Sequence, residues 1–465
     1  MAGFFSTDSL VREEHRKGDI PSSRTAYGLF LKLAIPSVAE MVLVSLVSTV
    51  DTMMVSTLGT AAISSVGLTI QPRMIALCVF FGLNVGITAI ISRRKGEGRQ
   101  ADAQKTLRSM LLIALGLSIL LGGLCYVFSH PLMRLAGAKD DTVEMASVYF
   151  RILMLGLPAN AVTMSICAAT RGIGKTRITM VINGIANIVN VIFNYFLING
   201  HCGFPALGIR GAAIASVIGM VVGMVIALVS VARRKSYFSL RYVGEDFKLK
   251  KDVVGPVLSV SGNALLEQLC LRIGFLVFAR LVAELGTSAY AAHQICIQCL
   301  NLTFYVADGL ATAGTSLVGQ NLGAKRPDLS MMYGKIAQRV ALVAAVFIAS
   351  LVALLRYPIV GLFSHDPEVV PLAITVMVIV AVFQPLQMSA VSITGCLRGA
   401  GDTKYVARMM MLCVTIIRPI LCAAAIYVFH LGLAGAWFAM IGDMIVRFIM
   451  CYTRFSGNKW ADIRL

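Results

Sequence analysis

Charged side chains are scarce in this sequence. Asp, Glu, Lys and Arg make up 14% of the 465 residues, 57% are hydrophobic, and the mean hydropathy is +0.80. A soluble domain carries about 25% charge. The shortage excludes an ordinary water-soluble globule and marks a polytopic membrane protein. Histidines are few and dispersed (His15, His130, His201, His293, His365, His430). No HExxH, Ser-His-Asp set, Walker sequence or glycine-rich phosphate loop can be drawn, which argues against an enzyme and against ATP-driven pumping. A leading apolar segment is also missing. Met1 to Gly28 is polar and contains Arg12-Glu-Glu-His-Arg-Lys17, so no cleaved signal peptide is expected. The 11 cysteines are scattered, and Cys296-Ile-Gln-Cys299 has no second CxxC or His cluster to complete a zinc site. They read as small packed hydrophobes, and no metal or cofactor is expected.

What the chain has in quantity is long apolar runs. Twelve helices are predicted near 30–58, 64–92, 106–129, 144–168, 178–200, 210–232, 253–283, 287–319, 330–356, 368–394, 405–429 and 433–453. Each exceeds the roughly 20 residues that cross about 30 Å of hydrocarbon. The net charge of +18 is unevenly placed. Of 41 Lys and Arg, only Arg134, Lys139, Arg151, Arg210, Arg280 and Arg356 fall on one side, and Arg73, Arg272, Arg418 and Arg447 lie within spans. The remainder crowd the other side, so both termini are expected in the cytoplasm. The basic excess is thus an orientation and lipid-facing feature, and no nucleic-acid partner is expected.

The halves are copies at an offset of 227. Glu40 meets Glu267, Leu58-Gly59-Thr60 meets Leu285-Gly286-Thr287, Thr88 meets Thr315, and Pro158 meets Pro385. Arg171-Gly-Ile-Gly-Lys-Thr176 meets Arg398-Gly-Ala-Gly-Asp-Thr403. Six helices per copy is an even number, so both copies insert the same way up, a repeat geometry known among secondary transporters. The expected organisation is an all-α protein of two six-helix bundles. A cytoplasmic tail (1–28), a first bundle (29–232), a polar linker (233–252), a second bundle (253–455) and a short tail (456–465) follow in order.

The chain resembles the multidrug and toxic compound extrusion (MATE) transporters over essentially its whole length. The residues that carry the likeness are Val50-Asp-Thr-Met53, Ala264-Leu-Leu-Glu-Gln268 and the twin Arg-Gly-x-Gly-x-Thr loops, within six-plus-six helices. The resemblance implies a V-shaped pair of bundles in the cell membrane, in a monomer. It implies antiport, with entry of a proton or sodium ion driving export of organic, mostly cationic amphipathic compounds. It also admits a relative that flips lipid-linked oligosaccharides, which would want a cavity richer in bases than in acids.

Ionised groups are costly in a bilayer, roughly 2.5–3.5 kcal/mol each on insertion scales, and are expected to face water or a partner. Asp51 and Glu40 lie 11 residues apart, on one helix face, about 30 Å and 13 Å along the first span. The resemblance assigns Asp51 and Glu267 to the coupling ion or proton. The partner available to Glu267 by proximity in sequence is Arg272, on a different helix face. Asn183, Asn187, Asn190 and Asn194 share one face of the fifth span and suit a cavity wall or interhelical hydrogen bonds. Some family members have an acid where Asn194 stands, and others an aspartate where Gln387 stands, so two known ion-site acids are missing here. Gln268, Gln294, Asp308, Gln384 and Gln387 complete the candidate cavity lining. Asp443 and Arg447, one turn apart, read with Arg418 as a structural ion-pair cluster. Most of the 23 methionines read as lipid-facing or packing residues, and Pro36 as a place where the first span could bend.

Overall fold

A computed structural model describes residues 5–7, 9–11, 13–233, 236–238 and 251–463. Most of the expected linker therefore lies outside the described residues. Within them the chain is helical throughout. The first copy comprises α1 (Ser23–Ser56), α2 (Thr60–Gly96), α3 (Gln100–Val127), α4 (Ser129–Leu135), α5 (Val143–Leu155), α6 (Leu157–Gly172), α7 (Thr176–Asn199) and α8 (Ile209–Ala232). The second comprises α9 (Lys251–Ala283), α10 (Thr287–Gly323), α11 (Pro327–Leu354), α12 (Arg356–Phe363), α13 (Val369–Ala400), α14 (Thr403–Met410), α15 (Arg418–Ala423) and α16 (Gly432–Ser456).

These elements form twelve membrane spans. Ten are long and apolar enough on their own, and α5 with α6 makes an eleventh, bent by 48°. The twelfth, α9, is 33 residues long and carries Glu267, Gln268 and Arg272 within its apolar run. Large apolar side chains stand exposed on the outer faces, among them Leu276, Phe347 and Val127, as a surface solvated by lipid requires.

The 227-residue offset survives in three dimensions. Helices α2 and α10, and α3 and α11, keep it at both ends, and the short α4 recurs as α12. Thr88 Oγ1 donates to the Ala168 carbonyl at 3.1 Å, and its copy Thr315 Oγ1 donates to the Gly395 carbonyl at 2.7 Å.

Two expected spans are not simple helices. The fourth breaks between α5 and α6 at Gly156-Leu157-Pro158, where a flexible glycine precedes a proline that cannot donate its N–H. Its copy α13 runs unbroken through Pro385, with Phe383 in place of the glycine. The eleventh widens into π turns at Met411–Ile417 and Ala424–Val428, on either side of α15. Pro419 lies just after the first of these and removes one ladder donor.

The chain divides into two compact units, Ala39–Leu265 and Met1–Val38 with Leu266–Leu465. The divisions fall inside α1 and α9. In the first unit α6 packs on α2, α3 and α8, and α7 packs on α8. In the second, α13 packs on α10, α11 and α16. The amino-terminal segment belongs to this second unit. Leu10 and Val11 are buried in its core with Phe30, Leu317 and Trp460, while Arg326 donates to the Asp19 carbonyl at 3.0 Å.

Candidate functional site

In the first unit α1 and α7 run alongside each other in the same direction and in register. Glu40 meets Asn183, and Asp51 meets Asn194; both pairs are 143 positions apart. The asparagine face of α7 is thus what the two acids of α1 look onto. Asn194 Nδ2 donates to Asp51 Oδ1 at 2.7 Å. The hydrogen-bond partners of Asn190 favour the amide orientation that donates to both Asp51 oxygens, at 2.9 and 3.1 Å, and accepts from Ser216. Asn190 and Asn194 are buried, and Asp51 is half-buried. Arg73 acts on Asp51 and Tyr149 from a distance, but no cation lies within 4 Å of the Asp51 carboxylate among the described residues. Asp51 is therefore a carboxylate held by neutral amides.

Glu40 is held differently. Its oxygens accept from Arg171 at 3.0 Å, Thr179 at 2.6 Å and Asn183 at 2.7 Å, and it is 3% exposed. A guanidinium and two neutral donors leave little for a ligand to bind. Asn187, between the two clusters, is half-buried.

In the second unit Glu267 is fully buried and paired with Arg398, whose Nε donates to Glu267 Oε2 at 3.2 Å and whose Nη2 donates to Oε1. The partner is thus Arg398, 131 positions away, and not the Arg272 that lies nearby in sequence on a different helix face. Arg171 and Arg398 open the twin Arg-Gly-x-Gly-x-Thr loops, so Glu40–Arg171 and Glu267–Arg398 are copies of one ion pair at the 227 offset. Both arginines went unassigned in the sequence reading. The repeat carried the signal, because paired Glu and paired Arg recur at one offset.

The other candidates are spread through the second unit. Gln384 Nε2 donates to Thr303 Oγ1 at 2.9 Å, and both residues are buried. Gln387 lines a small cavity with Phe383, Trp437, Met440 and Met444. Asp308 is half-buried and acts electrostatically on Arg398. Gln268 is half-buried and Gln294 is exposed, and neither is brought to the ion pair by a hydrogen bond among the described residues. Asp443 pairs with Arg418 at 3.0 Å, and among the described residues Arg447, one turn away, does not come within 4 Å of it.

Asp51 has no counterpart in the second copy. The offset places Phe278 there, buried against His293 and Trp437 at ring-centroid distances of 5.4 and 6.4 Å. The Glu–Arg pair is duplicated, and the amide-held aspartate is single.

A family model described as MatE matches residues 36–196 and 264–424. The probable multidrug resistance protein NorM of Thermotoga maritima is 26% identical over 459 residues, covering 97% of this chain and 96% of the relative. The multidrug resistance protein PmpM of Pseudomonas aeruginosa is 29% identical over 333 residues, covering 71% and 69%. A solved structure described as the outward-facing conformation of a multidrug resistance MATE family transporter of the MOP superfamily superposes with a TM-score of 0.87. It is 22% identical and covers 93% of this chain and 97% of that one.

Proposed function

The chain belongs to the MatE family, and from that membership we propose that it is a multidrug efflux transporter working as an antiporter, with Asp51 as its coupling group. Entry of a proton or a sodium ion at Asp51 drives export of organic, mostly cationic amphipathic compounds. The relatives named as multidrug resistance proteins support the export of drugs. The observation that carries the coupling role is the Asp51 carboxylate, half-buried and, among the described residues, hydrogen-bonded by the amides of Asn190 and Asn194 with no cation within 4 Å. An acid without a neighbouring cation can take up a proton, a metal cation or a cationic substrate, and these compete for one charge. Occupancy by the ion weakens substrate binding, and the site then faces the opposite side of the membrane. We place both termini in the cytoplasm, on the distribution of Lys and Arg.

Glu40 and Glu267, each already neutralised by an arginine, fix α1 and α9 to the helices that carry Arg171 and Arg398. Coupling is accordingly assigned to Asp51 alone. Asp51→Asn keeps the shape of the side chain and removes its charge. Ethidium efflux from cells expressing it should fall at least about fivefold, at the low end of the usual coupling free energies. Efflux at the wild-type rate, with the variant present in the membrane at equal amount, contradicts the assignment.

A further inference from the structure

Two arginines and one aspartate are buried together in the second unit. Arg418 opens α15, and Asp443 and Arg447 lie one turn apart on α16. They are 1%, 0% and 4% exposed. Arg418 Nη2 donates to both Asp443 oxygens, at 3.0 and 3.2 Å, and its guanidinium carbon lies 5.0 Å from the centroid of the Phe275 ring. Among the described residues, Arg418 Nε and Nη1 meet no acceptor, and neither does Arg447 Nε. Arg447 Nη1 reaches only the Met410 sulfur, at 3.8 Å. The two guanidiniums and the carboxylate act electrostatically on one another and on the buried Cys413 thiol.

The charges do not balance. Guanidinium does not give up its proton inside proteins, so two positive charges share one carboxylate. No second carboxylate lies within 4 Å of either arginine among the described residues. A structural ion pair needs only Arg418 and Asp443. The surplus charge on Arg447 and three unmet guanidinium nitrogens are heavily penalised in a membrane interior unless something negative completes the cluster.

We propose that Arg418, Asp443 and Arg447 form a binding site for one small monovalent anion, either a halide or the carboxylate group of a zwitterionic compound. Arg447 Nε and one of the two free Arg418 groups, Nε or Nη1, which point to opposite edges of the guanidinium, are the donors offered to it. Asp443 orients Arg418 and holds the cluster at a single net positive charge, which one monovalent anion neutralises. The proposal does not depend on coupling at Asp51, which lies in the other unit, so each can fail without the other.

The test uses the purified full-length protein in detergent, with thermal unfolding followed in sodium methanesulfonate at fixed ionic strength. One arm is titrated with bromide and the other with 4-bromobenzoate. A saturable rise of roughly 2–4 °C in Tm is expected from at least one of them, as for a ligand that binds the folded state alone. Response to bromide identifies a halide site, and response to 4-bromobenzoate a carboxylate site. Arg447→Met should fold, should be at least as stable without added anion, and should lose the response. Anomalous diffraction from bromine in wild-type crystals grown with the active compound should place the atom between Arg418 and Arg447, with no variant needed. No saturable response from either anion in the wild type overturns the proposal, as does an equal response in Arg447→Met or an anomalous peak elsewhere.

Discussion

Glu40 and Asp51 are both carboxylates, both on α1, and both face α7, yet they have opposite fates. The difference is one guanidinium. Arg171 neutralises Glu40, and among the described residues no cation takes that place beside Asp51. Removing one partner of a buried ion pair leaves the other charge stranded. Glu267→Gln should therefore cost about 3–5 kcal/mol, and Glu40→Gln somewhat less because Thr179 and Asn183 remain. Replacing Glu267 and Arg398 together, by Gln and Met, should recover a good part of that loss. Thermal unfolding of the single and double variants measures it; a double variant no more stable than Glu267→Gln would mean the stranded charge is not the cause. Asp51→Asn should cost less than Glu267→Gln, because no guanidinium is left stranded and one acceptor remains for the Asn194 amide. The acids themselves were legible in the sequence as charges inside apolar runs. Their partners were not, since Glu40 and Arg171 are 131 positions apart and spacing within one helix says nothing about them.

The loop Arg-Gly-x-Gly-x-Thr acquires a physical reading at the level of elements. Its arginine holds the glutamate of the crossing helix. Its first glycine lets the end of α6 or α13 approach the backbone of the neighbouring helix. A Cβ at Gly172 would lie 3.0 Å from the Thr88 carbonyl oxygen, and one at Gly399 only 2.3 Å from the Thr315 carbonyl oxygen. The second glycine, Gly174 or Gly401, takes φ of 76° or 87° and ends the helix, a conformation that side chains with a Cβ resist. Gly399→Ala should accordingly destabilise the protein by about 1–3 kcal/mol, and Gly172→Ala by less. Denaturation of both variants checks the order, and the reverse order would contradict the close-approach argument. Helix positions were readable from hydropathy to within a few residues in most spans. The break at Gly156 and the π turns around Arg418 were not, because an apolar run looks the same whether its ladder is regular or interrupted. Pro158 and Pro385 illustrate this: they are copies in sequence, yet only the first lies beside a break.

For the molecule as a whole, the repeat separates scaffold from function. What both copies keep, the Glu–Arg pair, the threonine bonds of Thr88 and Thr315 and the loop glycines, holds each bundle together. Only one copy keeps an aspartate between two asparagines, to which we assign the coupling, and the second copy fills the place with Phe278. The coupling role we propose for Asp51 would put one charge between an ion gradient and export. The direct measurement is ethidium transport by purified protein in proteoliposomes, with a proton gradient and a sodium gradient imposed separately. Wild-type protein should respond to one of the two gradients, and Asp51→Asn to neither. Gradient-driven transport by Asp51→Asn at the wild-type rate would contradict the account.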